Sequence, residues 1–125
     1  MELSENRHIL YFSEQPIVLM EELLKIKEIG FTHIPTGVPE AALNQAQLHY
    51  TALKASPFVE NSGIGFILFG SACDLALPLQ QLCDVKMLLV NPLRREYFPA
   101  MISVIEASEE ESMFLQIKAK LENIV

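Results

Sequence analysis

The first thirty residues contain an apolar run followed by a spaced apolar pattern. Residues 8–12 read His-Ile-Leu-Tyr-Phe, which predicts a short strand. Apolar side chains then recur at helical spacing over residues 17–29, with acidic residues early and lysines late, which predicts an amphipathic helix aligned with its own dipole. We expect Ser13 to cap this helix, Pro16 to lie in its first turn and Gly30 to end it as a C-cap.

The next quarter of the chain has a mixed pattern. Two prolines stiffen residues 31–39, which we expect to form a loop. Four apolar side chains in residues 40–55 are spaced for one face of a helix: Leu43, Ala46, Tyr50 and Leu53. The abundance of Ala, Leu and Gln also favours a helix here. Residues 44–49 are compatible with a partly polar strand as well, so both alternatives stay open.

Two apolar runs of strand length follow, at residues 62–69 and 83–90, and we expect both to be buried strands. The connection between them contains Pro78 and is expected to be irregular. Asn91 and Pro92 are the residue types favoured at the N-cap and the first position of a helix, which we expect to run to about residue 107.

The last segment begins with Ser108 and Glu111, which have the spacing of a capping box for a final helix that ends near Ile124. Alternation of buried strands with helices predicts an α/β fold. We expect a small mixed sheet flanked by helices, in a single layer-sandwich domain that spans residues 1–125.

Composition excludes several classes of function. The chain has 125 residues, enough for one domain, and half of them are hydrophobic. A net charge of -7 with only nine Lys and Arg argues against nucleic-acid binding, which needs clustered cations. No apolar run approaches the ~20 residues of a membrane span, and the acidic, polar N-terminus differs from a signal peptide. Cys73 and Cys83 lie in apolar surroundings and are expected to be buried free thiols, which favours a cytoplasmic location.

His49 is the strongest candidate for chemistry. Imidazole is the only side chain type here that shuttles a proton or carries a phosphoryl group near neutral pH without a cofactor. The alternative is a half-buried histidine bonded to the backbone, and the residues alone leave both open. His8 and His33 share no ligand spacing with His49, so we expect no metal and no cofactor. The chain also lacks a nucleophile-elbow motif and a phosphate-binding glycine loop.

Three features in a fixed order resemble a known family. Residues 35–39 read Pro-Thr-Gly-Val-Pro, His49 follows, and residues 62–69 form a glycine-containing apolar strand. This order resembles the EIIA domains of the bacterial phosphoenolpyruvate-dependent sugar phosphotransferase system, of the fructose/mannitol fold type. The galactitol-like branch has a similar loop and then a strand that ends in the phospho-accepting histidine. The likeness covers roughly three quarters of the chain, and the chain resembles a divergent member.

The resemblance implies a function in sugar transport or its regulation. A ring nitrogen of His49 would accept a phosphoryl group from a phosphocarrier protein and pass it to a cysteine of an EIIB-type component. Donors around the phosphate are needed for such a transfer, and the likeness suggests the backbone near Thr36 and Gly37 together with Lys54. Tyr50 and Phe58 would then contact the partner protein.

Three hypotheses about function therefore remain. The first is an EIIA-like phosphocarrier, or a regulatory remnant of one such as a sensor domain of a transcription regulator. The second is a non-catalytic protein-interaction domain in which His49 is merely packed. The third is a small-ligand-binding domain with a pocket between the strand ends and the first helix.

Overall fold

The structure is a computed structural model that describes residues 7–60, 63–94 and 102–125. Strands and helices alternate along these residues. In chain order they are β1 (His8–Ser13), α1 (Val18–Ile26), β2 (Gly30–Pro35), α2 (Pro39–Ala55), β3 (Ile64–Phe69), a 3-10 helix (Gly70–Leu75), α3 (Ala76–Leu82), β4 (Lys86–Val90), β5 (Ile102–Ile105) and α4 (Glu110–Ile124). The α/β class expected from the sequence is confirmed.

The five described strands form one sheet in the order β2-β1-β3-β4-β5. All four strand pairs are parallel, so the sheet is not mixed as expected. Parallel neighbours need a crossover between them, and α1, α2 and α3 supply the crossovers that join the first four strands. From β1 the chain first adds β2 on one side. It then crosses back over β1 and adds β3 on the other side, and β4 and β5 follow outward from β3. The sheet therefore has a topological switch point between β1 and β3.

Helices cover both faces of the sheet. On one face, Leu10 and Phe12 of β1 belong to a buried cluster that includes side chains of α2 and α3. On the other face, Ile9 and Tyr11 belong to a second cluster with side chains of α1 and α4. Alternate residues of a strand point to opposite faces, and both faces of β1 and β3 are buried. This explains why the central strands read as continuous apolar runs.

The prediction of a loop over residues 31–39 is wrong, because β2 occupies most of these residues. β2 lies at the edge of the sheet and only Ile34 in it is fully buried, so its sequence lacks a continuous apolar run. Thr32 and His33 are polar residues within β2, and polar residues are also typical of a loop sequence. The helix alternative for residues 40–55 is confirmed by α2, and the strand alternative for residues 44–49 is wrong.

The connection after β3 is helical, not irregular as expected. It consists of the 3-10 helix and α3, with Pro78 as the third residue of α3. The first N–H groups of a helix have no partner within it, so a proline near the start loses little. Pro78 is therefore no obstacle to the helix.

The prediction of a helix from Asn91 to residue 107 is wrong for residues 102–105, because they form β5. Residues 95–101 lie outside the described part of the chain. Asn91 has a left-handed backbone (φ 52°) rather than an N-cap geometry. The final helix α4 is confirmed, but its N-cap is Glu109 without a side-chain hydrogen bond, so the capping box expected at Ser108 is wrong.

The boundaries of α1 also differ from the expected ones. Ser13 ends β1, and the N-cap of α1 is Ile17, whose N–H donates to the Tyr11 hydroxyl instead of to a capping side chain. Gly30 begins β2 instead of ending α1. A Cβ atom at Gly30 would lie 2.7 Å from Nδ1 of His8, so a larger residue here would force the His8 imidazole to shift.

Glu28 carries the left-handed conformation that the sequence assigned to Gly30. Its φ is 58°, and its N–H donates to the carbonyl of Lys25 at 3.0 Å. A residue with a Cβ atom is strained by roughly 1–2 kcal/mol in this conformation. We predict that Glu28→Gly raises the free energy of unfolding by about 1 kcal/mol, since glycine relieves the strain but is more flexible when unfolded.

The matched control is Glu28→Ala, which removes the same exposed carboxylate but keeps a Cβ atom. Urea denaturation of the three proteins measures the difference. An equal gain for the alanine and glycine variants would assign the effect to the charge and contradict the backbone explanation.

Candidate functional site

His49 lies on the solvent-facing side of α2 and is exposed. The resemblance implies that the phospho-accepting histidine ends a strand, whereas His49 lies within a helix. No hydrogen bond or ion pair of His49 is found among residues 7–60, 63–94 and 102–125. Its neighbours one turn away on α2 are Gln45, Ala46, Ala52 and Leu53, none of which is charged. The imidazole is accessible, but no cation lies one helical turn from it.

Thr36 and Gly37 are not brought to His49. They follow β2 at the carboxyl edge of the sheet, whereas His49 is ten residues beyond the start of α2 at Pro39, about 15 Å along the helix axis. The N–H of Thr36 donates to the carbonyl of Ser13 at 3.2 Å, so it is engaged in holding β2 to β1. Gly37 is exposed and has open space where a side chain would be.

Tyr50 and Lys54, the other residues predicted to bind, make contacts within the protein. Tyr50 is buried, and its hydroxyl accepts the N–H of Asp84 at 3.2 Å, which links α2 to the residues before β4. The Lys54 ammonium lies 5.4 Å from the centre of the Tyr50 ring, a cation–π geometry. Phe58, the other expected partner contact, is exposed beyond the end of α2.

The carboxyl edge of the sheet holds a polar cluster that the sequence did not indicate. The hydroxyl of Tyr11, a fully buried residue, donates to the carboxylate of Glu21 and accepts the N–H of Ile17 at 3.1 Å. Burial, and then the hydrogen bond to Glu21, raise the pKa of Tyr11 to about 12. The cluster occupies part of the region between β1 and α1 in which the ligand-binding hypothesis expects a pocket.

Ser13 and His33 resemble a catalytic pair by distance alone. Oγ of Ser13 lies 3.1 Å from Nε2 of His33, but the same nitrogen lies 3.0 Å from the carbonyl oxygen of Ser13. A carbonyl oxygen only accepts hydrogen bonds, so Nε2 carries a proton and cannot act as a base. The Ser13 hydroxyl donates to the carbonyl of Gln15 at 2.6 Å. The pair therefore fastens β2 to β1 and does not activate the serine.

Gly70 stands at the sharp turn from β3 into the 3-10 helix, with a φ of +59°. A strained strand-to-helix turn of this type presents the nucleophile in nucleophile-elbow enzymes. Here the turn residue has no side chain, and the space around its Cβ position is open. Ser71 follows it and is exposed, in a helical position past the turn. The backbone of an elbow is thus present without a nucleophile.

Asn91 fixes the same edge of the sheet on the other side of β3. Its side-chain amide donates to the carbonyl of Ala107 at 2.9 Å and accepts the N–H of Ala107 at 2.7 Å. Its own N–H donates to the carbonyl of Ile105 at 2.8 Å. These bonds tie the end of β4 to the residues between β5 and α4 and leave the Asn91 amide fully engaged.

Both cysteines are buried free thiols, as expected. Burial raises the pKa of the Cys73 thiol to about 12 and that of Cys83 to about 11. The Cys73 thiol also donates to the carbonyl of Leu68 at 3.3 Å. A thiol that is buried and protonated is a poor nucleophile, so neither cysteine is suited to covalent catalysis.

An apolar groove lies between α1 and α4 on the described surface. It has a volume of about 380 Å³, and its apolar lining consists of Leu19, Leu23, Phe114 and Leu115. Leu19 is 46% exposed and Leu115 is 62% exposed. The charged residues that line it are Glu110, Glu111 and Lys118. We refer to this surface as the α1–α4 groove.

The sequence of α1 contains a pattern that indicates the α1–α4 groove. On α1, the buried residues are Met20 and Leu24, which form the expected core-facing stripe. Leu19 and Leu23 add a second apolar stripe at i, i+4 spacing, displaced to one side of the first. Leu23 also packs against the core, whereas Leu19 is exposed and extends the apolar face of α1 toward solvent.

Comparison of the chain with protein families, with curated proteins and with solved structures finds no match in any of the three. Within residues 7–60, 63–94 and 102–125, no group of three or more His, Cys, Asp or Glu is placed to hold a metal ion. No helix in that part of the chain is long and apolar enough to cross a membrane.

The Tyr11 cluster leads to a prediction about stability and pH. We predict that Tyr11→Phe lowers the free energy of unfolding by about 1–3 kcal/mol at pH 7, because the Glu21 carboxylate and the Ile17 N–H lose a partner. The pKa of Tyr11 is higher in the folded protein than its ordinary value of 10. The unfolded phenol therefore loses its proton first, and wild type loses stability as the pH rises from about 10 toward 12.

Phenylalanine does not titrate, so the difference between wild type and variant should shrink over this pH range. Urea denaturation at pH 8 and pH 11 measures it. A difference that stays constant between these pH values would contradict the assignment of the raised pKa to Tyr11.

Proposed function

We propose that this chain is a non-catalytic protein-interaction domain that binds a partner helix in the α1–α4 groove. The observation that carries the proposal is the exposure of Leu19 and Leu115 on either side of a formed apolar depression. Scattered exposed leucines are ordinary, but a contiguous apolar groove with charged side chains along it is typical of a contact surface.

A helix is the occupant that suits the shape of the groove. α1 and α4 both follow parallel strands and both run back across the same face of the sheet, so they run in the same direction. The lining residues of α4 extend over two turns, from Glu110 to Lys118, or about 12 Å. A third helix laid between two others places apolar side chains at i, i+3, i+4 and i+7 into such a groove.

The carboxyl edge of the sheet supports the non-catalytic half of the proposal. Gly70 provides no nucleophile at the one elbow-like turn described. Nε2 of His33 is committed to the Ser13 carbonyl, and the Asn91 amide is committed to Ala107. Polar groups that already have fixed protein partners position the chain, and they leave little capacity to bind a substrate.

Binding of a peptide tests the groove. The probe is an uncharged amphipathic helical peptide of about 14 residues, or four turns, with leucines at i, i+3, i+4 and i+7 and glutamine elsewhere. We predict that fluorescence anisotropy detects its binding to wild type, and that Leu115→Glu weakens binding at least tenfold. The new carboxylate would have to be desolvated against the apolar face of the peptide.

The matched control is Phe58→Glu. Phe58 is 60% exposed, close to the 62% of Leu115, and it lies outside the α1–α4 groove. We expect this variant to bind like wild type. Equal weakening by both variants, or no binding to wild type, would refute the groove as a docking site.

Phosphoryl transfer through His49 is the competing hypothesis, and one observation favours it: the imidazole is exposed on α2. Its neighbours one turn away are uncharged, and the Lys54 ammonium lies over the ring of Tyr50. In-line transfer to a histidine needs cations or N–H donors around the phosphate oxygens. The phosphocarrier and EIIB-type partners implied by the resemblance stay predictions.

We predict that incubation with phosphoenolpyruvate, the first enzyme and the phosphocarrier of the sugar phosphotransferase system adds no acid-labile phosphate to wild type. Radiolabelled phosphoenolpyruvate provides the measurement, and an authentic EIIA domain provides the positive control. One equivalent of label in wild type that is absent from His49→Ala would establish the phosphocarrier function and overturn the non-catalytic proposal.

A further inference from the structure

The charges that line the α1–α4 groove are distributed unevenly along it. Glu110 and Glu111 lie in the first turn of α4, and Lys118 lies two turns further along the same helix. The separation between Glu111 and Lys118 is about 10 Å along the helix axis. The groove is therefore acidic at the end nearest the carboxyl edge of the sheet and basic at the other end.

This polarity selects one orientation of a bound helix. Lysine and arginine are most favourable near the C-terminus of a helix and acidic residues near its N-terminus, because of the helix dipole. A partner that places its basic C-terminal turn beside Glu110 and Glu111 also places its acidic N-terminal turn beside Lys118. It then runs antiparallel to α4, so that the two helix dipoles attract each other as well.

We infer that the occupant of the α1–α4 groove is an amphipathic helix of a partner protein with basic residues in its last turn and an acidic residue in its first turn, bound antiparallel to α4. The inference rests on the proposed function and adds the charge pattern and direction of the partner. A second copy of this chain is a poor occupant, because each copy carries a net charge of -7 and like charges disfavour association.

The test uses two peptides of identical composition and length with the leucine spacing of the uncharged probe. One has two lysines in its last turn and one glutamate in its first turn, and the other has these ends exchanged. A side-chain staple on the polar face holds both helical, so that a difference in helix content does not imitate a difference in affinity. Fluorescence anisotropy measures both dissociation constants.

At low ionic strength we expect the first peptide to bind about threefold to fivefold more tightly, because the exchanged peptide makes the same charge pairs only when it runs parallel to α4, where the helix dipoles repel each other. The preference should vanish at about 1 M salt, where the screening length is about 3 Å. Glu111→Lys should abolish or reverse the preference. Glu40→Lys is the control, because Glu40 is an exposed acid in the first turn of α2 and lies outside the groove.

The outcomes separate this inference from the proposed function. Equal affinities of the two charged peptides, with binding of the uncharged peptide intact, would overturn the charge pattern and leave the docking groove standing. No binding by any of the three peptides would remove the proposed function as well. A dimer in sedimentation velocity that Leu115→Glu dissociates would identify the occupant as a second copy and overturn the inference.

Discussion

Burial of β1 and β3 on both faces is the constraint from which the rest of the arrangement follows. Residues Ile9 to Phe12 of β1 are wholly inaccessible, and β3 is buried from Ile64 to Leu68. Apolar side chains on both sides of a strand require a cover on each face, and parallel pairing supplies it because every crossover carries a helix. The helices α2 and α3 cover one face and α1 and α4 cover the other.

The same constraint concentrates polar backbone groups at the carboxyl edge of the sheet. At this edge the chain turns sharply out of each strand, and proteins of this architecture commonly bind ligands there. In this chain the side chains at the edge bond to the chain itself: Tyr11 to Ile17 and Glu21, His33 to Ser13, and Asn91 to Ala107. The edge thus holds the ends of the strands in register, and the exposed apolar surface lies elsewhere.

The sequence correctly predicted the strands that are buried continuously. It missed the two edge strands, whose positions depend on pairing with a neighbouring strand. The strands in residues 8–13, 64–69 and 86–90 were recognisable because they are buried continuously. β2 and β5 lie at the edges of the sheet, where exposure allows polar residues such as Thr32, His33 and Ser103. The pairing of His33 with Ser13 depends on β2 lying beside β1, which no local pattern specifies. For His49, local helix propensity correctly indicated α2, whereas the family resemblance implied a strand.

The α1–α4 groove follows from the topology together with the sizes of the helices. α1 contacts β2, whereas α4 contacts β3, β4 and β5, so the two helices sit on opposite sides of the switch point. The two helices therefore contact the sheet at different strands, with the switch point between them. α1 is also short, with nine residues against fifteen in α4. A depression between the two helices thus follows from the fold. If polar side chains lined it, it would offer no apolar surface for contact. Leu19 and Leu115 instead make it apolar with side chains that stay exposed to solvent, and this choice of side chains is the reason to propose a function for the groove.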